Sequence, residues 1–410
     1  MKRILFATLW LMLASFTPVV ADEAPQKDLT RYSWRHIARD MPDEWYASEQ
    51  AAALADSVLA AQLPSGGWFK NLPYHKMEPK DRSELERAKR IGSSIFDNDA
   101  TTTEMRFLAK VYANRPEKRY ADGFRQALEL VFAAQYENGG WPMFFPLSEE
   151  CQNSYGVKDP ITGKKYIGHI NFNDNAIVNL MTLLREVYLR KPLFAALTDD
   201  NDAVRARKAF YDGVQCILDC QIRGVYEQYE FARTADGGVI VGDRRIGDGE
   251  LTVWCAQHDA ETLEPAQARA YEYPSYCGGE CADILKLLMS IKPKDIPADR
   301  PQMWEAVKTS VVAAVTWFDT HRIEGKRFVN IVTDGQRDRE LIDAPGERNL
   351  WARFYELTSC RPIFGMYDFV RLYDVREVSP KRRSGYAWYT DALSDVFEKY
   401  PKWRAKYIDK

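Results

Sequence analysis

An all-α fold, an incomplete toroid of antiparallel helices with long loops gathered at one end, follows from three features of this 410-residue sequence. The first is a duplicated acid/amide cluster: Asp97-Asn98-Asp99-Ala100 and Asn173-Asp174-Asn175-Ala176 stand 76 positions apart. The same offset superimposes Met105 on Met181, Leu108 on Leu184, and Val111-Tyr112 on Val187-Tyr188. The second is a repeated turn. Ala60-Ala61-Gln62 leads to Gly66-Gly67-Trp68 as Ala133-Ala134-Gln135 leads to Gly139-Gly140-Trp141, 73 positions on. The third is helical apolar periodicity through most of residues 45–400. Repeats of about 75 residues, each a helix pair, bury their apolar faces by stacking on one another.

Element by element, residues 1–21 read as a secretory signal: Lys2 and Arg3, an apolar run from Ile4 to Leu13, and Val19-Val20-Ala21 as cleavage site. The run is too short to span a bilayer, and no Cys follows it at a lipoprotein position. Soluble export, to the periplasm or medium, is expected. Residues 22–410 form one domain on this reading. Glu49 to Ala61 has an Ala-rich helical pattern ending at Pro64-Ser65-Gly66-Gly67. Residues 99–113, 120–135, 174–190, 203–220, 280–291 and 302–319 carry amphipathic helical patterns. Val/Ile runs at 237–242 and 328–333 suggest small hairpins. A weaker third repeat starts at Cys220-Gln221-Ile222-Arg223-Gly224, with Trp254 further on. Polar insertions near 150–168 and 228–250 read as surface loops or a small lobe.

Charge and cysteine usage narrow the function. A formal charge of −3, more negative once Lys2 and Arg3 are removed, disfavours nucleic acid. It leaves room for an anionic sugar held by a local cluster of cations. Seven Cys make no even disulfide framework. The i, i+4 pairs Cys216/Cys220 and Cys277/Cys281 are compatible with a metal, but buried thiols or one or two bridges fit better, since zinc wants more His or Cys. The 11 Trp and 22 Tyr are available equally for core packing and for stacking on sugar faces.

Three constellations carry chemistry. Asp97, Asn98 and Asp174 offer hard oxygen ligands for a calcium ion that shares its coordination with substrate carboxylates. Helix capping is the plain alternative, although it needs only one such residue per helix. In Trp254-Cys255-Ala256-Gln257-His258-Asp259, His258 is either a general base or a structural partner of its neighbours. Downstream, Arg269 and Lys286 suit sugar carboxylates, Arg by bidentate pairing and Lys as a point charge. The third runs from Trp351-Ala352-Arg353-Phe354-Tyr355 to Arg361 and Gly365-Met366-Tyr367-Asp368.

At these motifs, together with Ala268-Arg269-Ala270-Tyr271-Glu272 and Arg383-Ser384-Gly385-Tyr386-Ala387-Trp388-Tyr389, residues 45–395 resemble the family 10 polysaccharide lyases, which are pectate lyases. The resemblance implies an incomplete α/α toroid that cleaves polygalacturonate by calcium-dependent β-elimination. It implies Asp97, Asn98 and Asp174 as calcium ligands, and Arg269, Lys286 and Arg353 as substrate-carboxylate contacts. Trp254, His258 and Arg361 are added as further substrate contacts. The family uses an arginine as base, and the alignment expects it in a Gly-Arg-Asp segment where this chain has Tyr367. Four readings stay open. Tyr367 is itself the base, assisted by Arg353; or Arg361 or Arg371 substitutes; or the chain binds pectic oligosaccharides without cleaving them; or the short loop is misaligned. A hydrolase using Asp97 and Asp174 is the remaining competitor. The expected partner is polygalacturonate, with no nucleic acid, no membrane span and a monomeric chain.

Overall fold

A computed structural model describes residues 27–409; the signal expected at 1–21 lies outside the described residues. Three helical hairpins follow one another: Thr102–Asn114 with Lys118–Ala133, Ala176–Tyr188 with Asp200–Cys220, and Gly279–Ser290 with Met303–Thr320. Their first members touch in sequence, 102–114 on 176–188, 176–188 on 279–290, and the last on Ser394–Tyr407. The second members form a parallel layer, with Glu49–Ala60 on 118–133, 118–133 on 200–220, and 200–220 on 303–320. The result is the expected incomplete α/α toroid.

Apolar spacing dictates this packing. Helix 102–114 buries Met105, Phe107, Leu108 and Val111, and helix 176–188 buries Ile177, Leu180, Met181, Leu184 and Val187. Each such side chain contributes about 1.5–3 kcal/mol when fully withdrawn from water. Two long helices were not expected, besides several short ones. Pro79–Ile91 is so charged that only Leu85, Ala88 and Ile91 are buried, and Ser394–Tyr407 carries Pro401 inside it.

The repeat proves fourfold. Trp68 donates its indole N–H to Val58 O at 2.7 Å, Trp141 to Val131 O at 2.9 Å, Trp254 to Ile217 O at 2.6 Å and Trp351 to Phe318 O at 2.9 Å. Each tryptophan is thereby locked against the preceding helix and fully buried. Gln62, Gln135 and Gln221 each bridge two backbone carbonyls in the same manner. In the first two units the glycine turn is obligatory. Gly66 and Gly139 have φ of 106° and 86°, and a Cβ on either would collide with the backbone carbonyl of Gln126 or Asp212.

Long hairpins, Gly224–Arg233 with Val239–Asp248 and Lys326–Thr333 with Gln336–Asp343, are inserted ahead of the third and fourth tryptophans. They hide the period from the sequence. Short antiparallel ladders then tie each unit's loops to a neighbour: 94–95 with 144–145, 170–171 with 257–258, and 275–277 with 354–356. All seven cysteines are unbridged, six of them buried.

Candidate active site

The duplicated acid/amide segments are not helix caps. Asp97–Asp99 and Asn173–Asn175 are 3-10 turns placed just before helices 102–114 and 176–188, and no side-chain cap bond forms at either. Asn98 and Asp174 take φ of 52° and 50°, Asp99 and Asn175 take 61° and 60°. Asn and Asp tolerate this left-handed region best among side-chain-bearing residues, which explains their choice twice over. The two turns lie against each other, and the second also meets the start of helix 279–290.

Three acids from three consecutive units therefore converge: Asp97, Asp174 and Glu280. Asn173 stands between the first two, donating to Asp97 Oδ1 at 3.2 Å and to Asp174 Oδ2 at 3.0 Å. Lys70 makes a short ion pair with Asp97. Arg353 donates through Nη2 to Glu280 at 2.5 Å, Asn173 at 2.9 Å and Asp174 at 3.4 Å. Three carboxylates thus face two cations. Burial and the neighbouring Asp97 push the Asp174 carboxyl up to about 6. A mild excess of negative charge in a partly dry site is what a cation would relieve. Beside it opens a cavity of about 700 Å³ lined by Trp34, Arg35, Asn98, Asp99, Asp174 and Asp283, among others.

Close to Asp174, Glu272 grips Arg269. Its Oε2 accepts from Arg269 Nε at 2.7 Å, its Oε1 accepts a short bond from Nη2, and Tyr386 Oη donates to Oε1 at 2.6 Å. The fork leaves Arg269 Nη1 without a protein partner, and the side chain is 36% exposed. Burial is the largest single effect and lowers the guanidinium's pKa, but the Glu272 charge and hydrogen bonds, with the nearby tyrosines, together outweigh it and hold the group above its ordinary range. Tyr386 links the two arginines: Arg353 lies 4.6 Å and Arg269 5.8 Å from its ring centroid.

Of the residues expected at the site, Asp97, Asp174, Arg269 and Arg353 are brought together. Asn98 stands at the mouth, its Nδ2 3.4 Å from Asn71 Oδ1. Lys286 lies at the edge, paired with Asp283, which in turn accepts from Asn175. Four residues need correction. Trp254 is fully buried with its indole engaged, so it has no face for a sugar. His258 is equally buried; its Nδ1–H meets Leu263 O at 2.8 Å while Nε2 accepts from Cys255 N at 3.0 Å. Burial lowers its pKa to about 4, so it is a neutral structural imidazole rather than a substrate contact. Arg361 is an exposed side chain stacked 4.6 Å over Tyr373, with no contact to the acid cluster. Tyr367 is 69% exposed and touches Tyr271 and Arg382, not Arg353. Arg371 is occupied by Asp243 and Glu356.

Sequence reading missed Glu280, Glu272, Tyr386, Asn173 and Lys70 as site residues. Glu280 was findable, because it opens the inner helix of the third unit where Asp97 and Asp174 open the first two.

A helical toroid whose successive units bring acids together beside buried arginines defines a class of proteins that handle acidic polysaccharides. The chain belongs to the pectic acid lyase family, whose profile matches residues 62–228 and 227–397. No curated protein sequence matches it. Among solved structures it is similar to the family 10 polysaccharide lyase from Cellvibrio cellulosa, 28% identical over 90% of this chain and 94% of that one, with a TM-score of 0.66. An aspartate-to-alanine mutant of that lyase in complex with trigalacturonic acid matches equally well, over 95% of its chain.

Proposed function

We propose that this protein is an exported, calcium-dependent pectate lyase that cleaves polygalacturonate by β-elimination. The observation carrying this reading is the facing of the Asp97/Asp174/Glu280 cluster by Arg353 and Arg269. Among the described residues no group of three His, Cys, Asp or Glu side chains is disposed to hold a metal alone. A calcium site completed by the substrate's own carboxylates fits better, since the donors are all hard oxygens and the acids outnumber their cations. Asp97 and Asp174, with Asn98, would hold it. Bound there, the ion would neutralise a uronate carboxylate and so make the adjacent C5 proton more acidic.

The remaining steps fall to the chain's own side chains. Arg353 stiffens the acid cluster by holding Glu280, Asn173 and Asp174 at once. Arg269 is fixed by Glu272 through one edge and keeps Nη1 unpartnered among the described residues, and we assign to it the proton acceptor role expected at position 367. Removal of H5 sends its electron pair into a C4–C5 double bond. The C4–O bond breaks, and the departing sugar oxygen takes a proton from water. Glu272 keeps Arg269 protonated at rest, so the guanidinium must first give a proton to hydroxide before it can take H5, and the rate should climb with pH through the alkaline range.

Polygalacturonate with calcium should generate products absorbing in the ultraviolet, and Arg269→Lys should abolish this while trigalacturonate still binds. No absorbance rise at any alkaline pH, with the fold intact, rejects the lyase. A second reading, a pectate-binding protein without turnover, is motivated by Tyr367, whose exposed ring has aromatic and cationic neighbours but no base geometry. Retained affinity without product would select it.

A further inference from the structure

One buried cation beside Tyr271 and Tyr386 has no counter-charge among the described residues. Arg382, on the short helix Pro380–Ser384, is 9% exposed, yet its Nε and Nη2 meet no acceptor and no carboxylate pairs with it among the described residues. Its surroundings are aromatic. The guanidinium carbon lies 3.4 Å from the centroid of Tyr271, 4.4 Å from Tyr386, 5.5 Å from Tyr367 and 5.6 Å from Trp388. The adjacent Arg383 explains how it is held there. Arg383 forks onto Asp338 at 2.8 and 2.6 Å and gives Nη1 to Val378 O and Arg376 O, pinning the helix so that its neighbour turns to the rings.

Cation–π contacts offset only part of the cost of burying an unpaired charge. The contrast with its neighbours is sharp. Arg269 is neutralised by Glu272, and Arg353 by Glu280 and Asp174. Arg353 and Arg382 both lie within 4.6 Å of the same Tyr386 centroid. Arg269 and Arg382 both lie within 5.1 Å of the Tyr271 centroid. The unpaired cation therefore shares its aromatic neighbours with the two paired ones. The exposed Tyr367 ring and the half-buried Tyr386 are the members of this aromatic set that reach solvent, and they mark the side from which an anion can approach.

We propose that Arg382 is a substrate-binding residue that takes a galacturonate carboxylate, and that it supplies from helix 380–384 the positive charge missing at position 367. Planar N–H groups with no acceptor are suited to a carboxylate, and the flanking rings suit a sugar face. This rests on the lyase reading only for the identity of the anion.

The test is a charge relocation. Arg382→Gln should raise KM for polygalacturonate, and the Kd for trigalacturonate, at least tenfold with kcat altered less. Tyr367→Arg placed in the Arg382→Gln protein should restore most of that loss, because a guanidinium from 367 reaches the same aromatic set. A purely structural Arg382 would not be rescued in this way. Unchanged KM and Kd in a folded Arg382→Gln protein, or a loss that Tyr367→Arg fails to recover, overturns the assignment. If the wild-type protein neither binds nor cleaves polygalacturonate, the lyase reading has failed; binding of another polyuronate lost in Arg382→Gln would still uphold the carboxylate site.

Discussion

His258→Gln separates a structural histidine from a functional one by its acid behaviour. The imidazole is fully buried, with Nδ1–H and Nε2 both spent on backbone groups. Its pKa falls from 6.5 to about 4, chiefly through burial. The unfolded chain therefore binds a proton that the folded one refuses, and stability falls as pH drops from 6.5 towards 4. Between pH 7 and pH 5 the loss from this one group is about 2 kcal/mol, at roughly 1.4 kcal/mol per unit of pH below the unfolded pKa. Gln has a donor and an acceptor for the same two backbone partners but no proton to gain. Urea unfolding of both proteins at pH 7 and pH 5 should show the wild type losing about 2 kcal/mol more than the variant. The comparison uses the pH slope alone, so a constant penalty from the substitution cancels. Equal losses in the two proteins would refute the argument. A large fall in kcat for His258→Gln at pH 8 would return His258 to the functional set.

Other consequences are as direct. Glu104, buried beneath Trp34 Nε1 at 2.7 Å, has its carboxyl raised to about 7 by burial. The folded state holds its proton there, so stability declines as pH rises from 4.5 to 7. Glu104→Gln should remove up to about 3 kcal/mol of that decline in the same unfolding series. Arg353→Ala strands Glu280 and Asp174 in a nearly dry site and should cost about 3–5 kcal/mol, read as a lowered urea midpoint. Asp174→Asn should sharply weaken the calcium dependence of trigalacturonate binding in calorimetry while leaving the thermal midpoint nearly unchanged, since Asn tolerates the left-handed φ of 50° there. Retained calcium dependence would move the ion elsewhere.

The sequence alone specified the architecture. Apolar spacing set the helices, and the 76- and 73-residue repeats implied that they stack as pairs, because such units expose apolar faces until they meet copies of themselves. The acid/amide turns were legible for the same reason: an unusual residue set written twice at equal offset has an equal place in each unit. Residues lacking a visible repeat were misjudged. Trp254 and His258 have the composition of a sugar site, yet the fold turns both inward. Whether a side chain faces the core or the groove depends on which carbonyl lies over it, as Ile217 O lies over Trp254 and Leu263 O over His258. Only tertiary structure decided which charges cancel. Glu272 lies three residues from its partner Arg269, but Glu280 is 73 from Arg353, Asp338 is 45 from Arg383, and Arg382 finds no carboxylate among the described residues. Charge pairing is set by distance through space, which hairpin insertions between the repeats remove from any reading along the chain.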